Sequence, residues 1–249
     1  MSPPIRTKVF VISLRSAEDR RERFAHRAEP ATLEYSFFDA RQTLHTKLSY
    51  EPSAVRVSYG RELRQGELGC YSSHFALWDQ LVEDDEADQY IVLEDDIIAD
   101  WKRLAAIARY DFSADGVSYV RLYQKRPTEF IVTKRRYILP SFCLVQNLGF
   151  AYGTQGYAIT KHGDSLLMNA CRTVRRPIDD EMDRFWAHGI PNLALFPFPI
   201  IEEDVSSSIG DFRRQEKHAA SLQRRAVKIL DGLKRRKAVL LEKLKRRAA

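Results

Sequence analysis

Cysteine is scarce in this chain: three in 249 residues, at Cys70, Cys143 and Cys171. An odd number so widely scattered excludes a disulfide framework and gives no zinc spacing, so the three read as ordinary buried thiols. Long apolar runs are missing too. No segment approaches the roughly 18 uninterrupted apolar residues of a membrane span. The opening MSPPIRTKVFVISL lacks a signal peptide's apolar stretch and cleavage site, so a cytoplasmic protein is the expectation. Aromatic residues stop at Phe212, and the basic end beyond it holds no recognisable nucleic-acid-binding motif, which makes nucleic acid a poor partner.

What is present suffices for a sizeable core. The chain is 44% hydrophobic, enough for one domain, with two small ones still allowed. Its net charge of +6 is unevenly shared. Residues 213–249 hold 14 Lys or Arg against 3 Asp or Glu, a balance of +11, which leaves −5 for residues 1–212. Within that tail Leu222, Ile229, Leu233, Leu240 and Leu244 recur at steps of seven and four, an amphipathic helical pattern in which Gly232 permits a bend. A basic amphipathic helix suits an anionic membrane surface, where each nearby Lys or Arg contributes about 1 kcal/mol. A helix packed on the body, or a coiled-coil pair that makes a homodimer, fits the same pattern.

The chemistry concentrates in YIVLEDDII at residues 90–98. Tyr90 to Leu93 is a short, strand-forming apolar run, as expected of a strand covered on both faces in a parallel sheet. It leads directly into Glu94, Asp95 and Asp96. Adjacent carboxylates repel one another unless water or a cation compensates. Sites in open α/β sheets lie beyond the carboxyl ends of strands, where Glu94 and Asp96 would project from one face. Two hard oxygen ligands there suit Mg2+ or Mn2+ together with substrate phosphates. A solvated acidic turn is the plain alternative.

Other stretches supply possible partners for that strand end. Val9 to Ile12 reads as a first strand, and SAED as a capping box with Ser16 as N-cap, starting a helix through about Ala28. The intervening loop, with Arg15 exposed and Arg20 and Arg21 close behind, can bind phosphate or merely be solvated. Residues 35–38 form a second strand ending at Asp39, which could meet a ribose or only cap a turn. Residues 41–65 read as a loop. Helical spacing of Leu68, Tyr71, Phe75, Leu77, Trp78 and Leu81 places a long helix from Gly66, with His74 one turn before Trp78, where a packed histidine is more usual than a ligand. Residues 118–123 and 137–139 read as strands. Gly153 and Gly156 precede a strand at 157–160 that turns into a helix near residue 162, and either let a ligand approach the backbone or make a turn. Asp179 and Asp180 follow Pro177 at a helix start, where capping is the default duty.

Taken together, VFVISLRSAEDRRERF, the FFDA at 37–40, GELGCYSSHFALWDQ, YIVLEDDII, GTQGYAIT and PIDDEM resemble, in order and spacing, glycosyltransferase family 25, over residues 8 to about 212. That family includes bacterial lipooligosaccharide galactosyltransferases. The resemblance implies an α/β fold of GT-A type, a Rossmann-like sheet binding a nucleotide sugar, over residues 1–212, with the basic amphipathic helical tail at 213–249. It implies an inverting transfer of galactose from UDP-galactose to a lipid-linked lipooligosaccharide or lipopolysaccharide acceptor, at the inner leaflet of a bacterial inner membrane. Glu94-Asp95-Asp96 stands in the place of the D-x-D element, with Asp96 and Glu94 as ligands of Mn2+ or Mg2+. Arg15, Arg20, Asp39, Asp95, Gly153 and Gly156 fall to the donor. Asp179 matches the P-x-D position of the general base, with Asp180 and Glu181 as substitutes and His74 as a second candidate that orders the donor loop. Where many relatives have Gln before a Ser-rich stretch, this chain has Glu202-Glu203-Asp204. A non-catalytic carbohydrate- or nucleotide-binding protein, and a metal-dependent hydrolase or nucleotidyltransferase, use similar acidic clusters.

Overall fold

The computed structural model describes residues 4–29, 31–203 and 222–248. It is a mixed α/β fold around an eight-stranded sheet, followed by a long C-terminal helix. In chain order the elements are β1 (Thr7–Ser13), α1 (Glu18–Ala28), β2 (Ser36–Asp39), β3 (Ser49–Tyr50), α2 (Pro52–Ser58), α3 (Gln65–Glu83), β4 (Gln89–Glu94), β5 (Ile97–Ala99), α4 (Trp101–Ala108) and β6 (Tyr119–Arg121). There follow β7 (Phe130–Arg135), β8 (Cys143–Asn147), β9 (Gly156–Thr160), α5 (Lys161–Cys171), β10 (Thr173–Val174), α6 (Ile178–Met182), α7 (Phe185–His188), β11 (Leu193–Phe196), β12 (Ile200–Glu202) and α8 (Leu222–Ala248).

The sheet runs β2-β1-β4-β9-β6-β11-β8-β7. β1 pairs in parallel with both β2 and β4, but β9 is antiparallel to β4 and β6, so the sheet is mixed and not the parallel one expected. Side-chain alternation sorts its strands into two cores. Val9, Val11, Ile91, Leu93, Val120 and Leu122 join Phe24 of α1 and Leu104 and Ile107 of α4 on one face. Ile12, Tyr90, Val92, Tyr119, Tyr157 and Ile159 meet Tyr71, Phe75, Trp78 and Leu81 of α3 on the other. The expectation of a strand at 90–93 covered on both faces holds, each of its four residues having no exposed surface.

Several sequence expectations fail for identifiable reasons. α1 ends at Ala28 as expected, but Ser16 does not cap it. Its N-cap is Ala17, whose carbonyl accepts from the Arg20 and Arg21 amides, and Glu18 and Asp19 supply negative charge to the first turn. The 41–65 loop contains β3 and α2, whose first turn is started by Pro52. Residues 137–139 are not a strand. Arg136 and Ile138 have φ of 52° and 63°, incompatible with extended chain, and the segment is the turn between β7 and β8. Its apolarity arises because Tyr137 folds under the turn into the core.

α8 is helical across Gly232. It docks on the body through polar groups. Asp231 pairs with Arg184 and accepts from Trp186 Nε1 (3.0 Å), Arg224 donates to the Tyr59 carbonyl (2.9 Å), and Arg235 lies over the Phe150 and Trp186 rings. The leucine stripe is turned outward: Leu222, Ile229, Leu233, Leu240 and Leu244 are 82, 64, 55, 58 and 50% exposed. Residues 213–221 of the expected tail, and Asp204, lie outside the described residues.

Candidate active site

The carboxyl ends of β1, β2 and β4 stand side by side, with Ser13 level with Asp39 and Ile12 level with Glu94. Beyond β4 the three acidic residues separate by the same alternation that sorts the core. Glu94 turns to the α3 face, where its Oε1 accepts from Thr154 Oγ1 at 2.5 Å and lies 3.6 Å from His74 Nε2. Burial alone would raise its pKa, but His74, Thr154 and Arg20 outweigh burial and hold it below its ordinary value. Asp95, buried at 3% exposure, turns to the α1 face, accepts from Ser13 Oγ at 2.6 Å and forms an ion pair with Arg20. Asp95 and Arg20, both expected at the donor, thus meet each other.

Asp96 carries the unresolved charge of the triplet. Burial first, then Glu94, pushes its carboxyl up to about 7, and its buried Oδ1 has no hydrogen-bond partner among the described residues. Glu202, on β12 antiparallel to β5, closes this corner. It accepts from the Tyr123 hydroxyl at 2.7 Å and Lys125 Nζ at 2.8 Å, while the Glu203 amide donates to the Asp96 carbonyl (2.7 Å) and its side chain pairs with Arg27 (2.8 Å). The segment that departs from the family pattern is therefore packed against the acidic triplet.

Asp179, on α6, is linked to this corner through the loop 153–155: the Gly153 amide donates to Asp179 Oδ2 (3.3 Å), Thr154 holds Glu94, and the Gln155 carbonyl accepts from the Glu94 amide (3.0 Å). Gly153 has φ of +81°, and a side chain there would collide with Gln155 and Tyr123, so glycine is required by the turn. Gly156 lies inside β9, where a side chain would strike Ile200. The N-cap of α6 is Pro177, so neither acid caps it. Asp179 instead accepts from the Asp180 amide (3.0 Å), and burial pushes Asp180 up to about 7, its Oδ1 having no hydrogen-bond partner among the described residues. A buried ion pair, Arg121 with Asp183 at 2.8 Å, fixes the loop from behind: Asp183 accepts from the Ala151 and Tyr152 amides, and Arg121 donates to the Gly153 carbonyl.

Two expected donor residues lie at the rim. Arg15 is exposed in the turn after β1. Asp39 is held by Arg21, which also donates to the Ser13 carbonyl (2.9 Å) and crosses the Phe37 ring. His74 is fully buried, its Nδ1 3.1 Å from the Tyr157 hydroxyl that also accepts from Trp78 (2.9 Å). Thr154, Tyr123, Tyr157 and Arg121 were not singled out as site residues by sequence, and Arg21 only as part of a possible phosphate loop. Thr154, between the two glycines, and Tyr157, directly after the second, stood next to a signal that could have found them. The reading of all three cysteines as ordinary buried thiols holds at Cys171 and needs correction at Cys70 and Cys143, both partly exposed; Cys70 also groups with His74 and Glu94, their ligand atoms all within 4.8 Å of one another.

The profile of glycosyltransferase family 25 (LPS biosynthesis protein) matches residues 6–182. Procollagen galactosyltransferase 1-A of Xenopus laevis is 28% identical over 191 residues, covering 70% of this chain and 30% of its own length. A glycosyltransferase 25 family member of Aedes aegypti is 26% identical over 171 residues, 64% of this chain and 27% of its own. The chain thus spans under a third of the length of these relatives. The crystal structure of A197 from STIV superposes at a TM-score of 0.39 and 16% identity, covering 86% of this chain and all of that one.

Proposed function

The chain belongs to glycosyltransferase family 25, and from that premise we propose that it is an inverting transferase. It moves a hexose, galactose from UDP-galactose, onto a lipid-linked lipooligosaccharide or lipopolysaccharide acceptor. The observation that carries this reading is the loop 153–155, which sets the Glu94-Asp96 corner on one side of a short backbone span and Asp179 on the other. An inverting displacement needs a site for the leaving diphosphate and a base for the incoming hydroxyl in that relation.

In this reading residues 1–212 form a GT-A type, Rossmann-like transferase domain and residues 213–249 a basic tail. Asp96 and Glu94 fit a hard divalent ion, Mn2+ or Mg2+, because Asp96 presents a buried oxygen with no hydrogen-bond partner among the described residues and both donors are carboxylates. Such an ion neutralises the charge that develops on the leaving diphosphate. Arg15 from the β1–α1 turn and Arg20 from the first turn of α1 reach toward the donor phosphates, with Asp95 holding Arg20 in place and Asp39 facing the nucleoside. Gly153 and Gly156 act on the donor through the backbone they shape, since a side chain on either would strike Tyr123 or Ile200 and displace the 153–155 loop. Asp179, oriented by the Gly153 and Asp180 amides, takes the proton of the acceptor hydroxyl as its oxygen attacks the anomeric carbon and the bond to UDP breaks on the opposite face. Asp180 is the substitute base, and His74 orders Glu94. The outward leucines and basic residues of α8 hold the enzyme on the inner leaflet, where tethering raises the effective concentration of a lipid-linked acceptor.

The test is donor consumption by the purified chain with Mn2+, a panel of UDP-sugars and a truncated lipooligosaccharide, beside Asp96→Ala and Asp179→Asn. Acceptor-dependent release of UDP from UDP-galactose, lost in both variants, supports the reading. Donor hydrolysis without acceptor points to a hydrolase. No consumption, with melting unmoved by Mn2+ and UDP, points to a binding protein whose carboxylates are structural.

A further inference from the structure

Positions 70 and 74 lie one turn apart on α3 and so share a face, and that face meets the end of β4. We propose that Cys70, His74 and Glu94 form a binding site for a thiophilic divalent cation, Zn2+ or its spectroscopic substitute Co2+, distinct from the hard-oxygen position at Asp96. The Cys70 Sγ, a His74 ring nitrogen and a Glu94 carboxylate oxygen lie within 4.8 Å of one another. The imidazole is fully buried, yet its Nε2 has no hydrogen-bond partner among the described residues and lies 3.6 Å from Glu94 Oε1.

Zinc bonds of about 2.0–2.3 Å in a tetrahedron place ligand atoms about 3.3–3.8 Å apart. Closing the cluster onto an ion therefore asks for a movement of about 1 Å. Cys70 and Glu94 are partly exposed, and Glu94 would exchange its Thr154 contact for the ion, whereas His74 is fixed. What fixes the ring is the support a metal-binding histidine ordinarily has. With the metal on Nε2, the proton sits on Nδ1 and donates to the Tyr157 hydroxyl oxygen, which Trp78 anchors from its other side. Thiolate and imidazole together select Zn2+ or Co2+ over Mg2+ and Mn2+, and three protein ligands leave a fourth position for water. Glu94 belongs to both sites, so an ion here draws it away from Asp96. Binding itself is independent of sugar transfer.

The experiment is titration of the untagged, reduced, metal-stripped chain with Co2+, read by absorption. The expected result is a thiolate-to-cobalt charge-transfer band saturating at one ion per chain and bleached by Zn2+. The band is lost in Cys70→Ser and His74→Ala and kept in Cys143→Ser. Tyr157→Phe keeps the three ligands but weakens binding about 10- to 100-fold. Circular dichroism of each metal-free variant establishes that it is folded. Absence of the band in folded wild type, or its persistence in folded Cys70→Ser, overturns the proposal and leaves His74 as a packed histidine beside Glu94. Neither outcome bears on whether UDP-galactose is consumed.

Discussion

Replacing Asp96 by Asn should stabilise the cation-free protein while abolishing transfer. Burial, with Glu94 next in weight, pushes the Asp96 carboxyl from 3.8 up to about 7. Between those values the folded chain keeps a proton that the unfolded chain has lost, so the unfolded state binds fewer protons and stability falls as pH rises across the window. The slope for one proton is about 1.36 kcal/mol per pH unit. Roughly three units of window therefore set a ceiling of about 4 kcal/mol, reached above about pH 7. Asn matches Asp in shape and carries no charge. The gain of Asp96→Asn over wild type should accordingly grow from near zero at about pH 4 to that ceiling at about pH 8. Urea unfolding in EDTA, followed by circular dichroism at half-unit pH steps, measures the difference directly. A difference that is flat or that shrinks as pH rises refutes the reasoning. Mn2+ at about pH 8 should narrow or invert the order, since an ion that binds only folded wild type adds about 2.7 kcal/mol at one hundred times its Kd.

Arg121→Met leaves Asp183 buried and unpaired beneath the 150–154 loop, and should cost about 3–5 kcal/mol in urea unfolding. The double variant Arg121→Met with Asp183→Asn should recover part of that loss, and a cost under about 1 kcal/mol for the single change would show that the pair does not hold the loop. The triple change Leu233→Ser, Leu240→Ser and Leu244→Ser should leave the body's unfolding unchanged, because those side chains face outward, and should abolish cosedimentation with anionic vesicles. Vesicle binding undiminished in the triple variant would remove the leucine stripe from the membrane reading.

The parts of the fold that sequence predicted are those fixed by local pattern. Short continuous apolar runs located β1 and β4, a run after two glycines located β9, and period-3.6 spacing located α3, because each buries its residues against neighbours on both sides or all round. The direction of β9 was illegible, since pairing direction depends on how the long connection from β4 returns and not on the strand's own residues. The 137–139 turn was misread because an apolar triplet whose central Ile138 has φ above zero looks, letter by letter, like a short strand. Of the site, the acidic residues were legible as charges that a buried strand does not deliver without a use. Their division of labour was not, because it arises from which face each meets: α3 with His74 for Glu94, α1 with Arg20 for Asp95.

That division makes Thr154 a sharper probe of the site than any of the acids. It lies in the loop whose next-door amide binds Asp179, and its hydroxyl donates to Glu94, so it couples the two acidic groups without being charged itself. Thr154→Val keeps the shape and removes the donor. A hydrogen bond to a charged group contributes about 1.5–3 kcal/mol, so the Mn2+ concentration that half-saturates transfer should rise about 10- to 100-fold. Thr154→Ser should restore it, because Ser supplies the same hydroxyl. The loop itself should survive the change, since Arg121 and Asp183 hold residues 151–153 through backbone groups that Thr154 does not touch. If Thr154→Val instead lowers stability as much as Arg121→Met while leaving the Mn2+ dependence unchanged, the Thr154 hydroxyl is a structural prop. Glu94 would then owe its lowered pKa to His74 and Arg20, and the two acidic groups would be neighbours without being coupled.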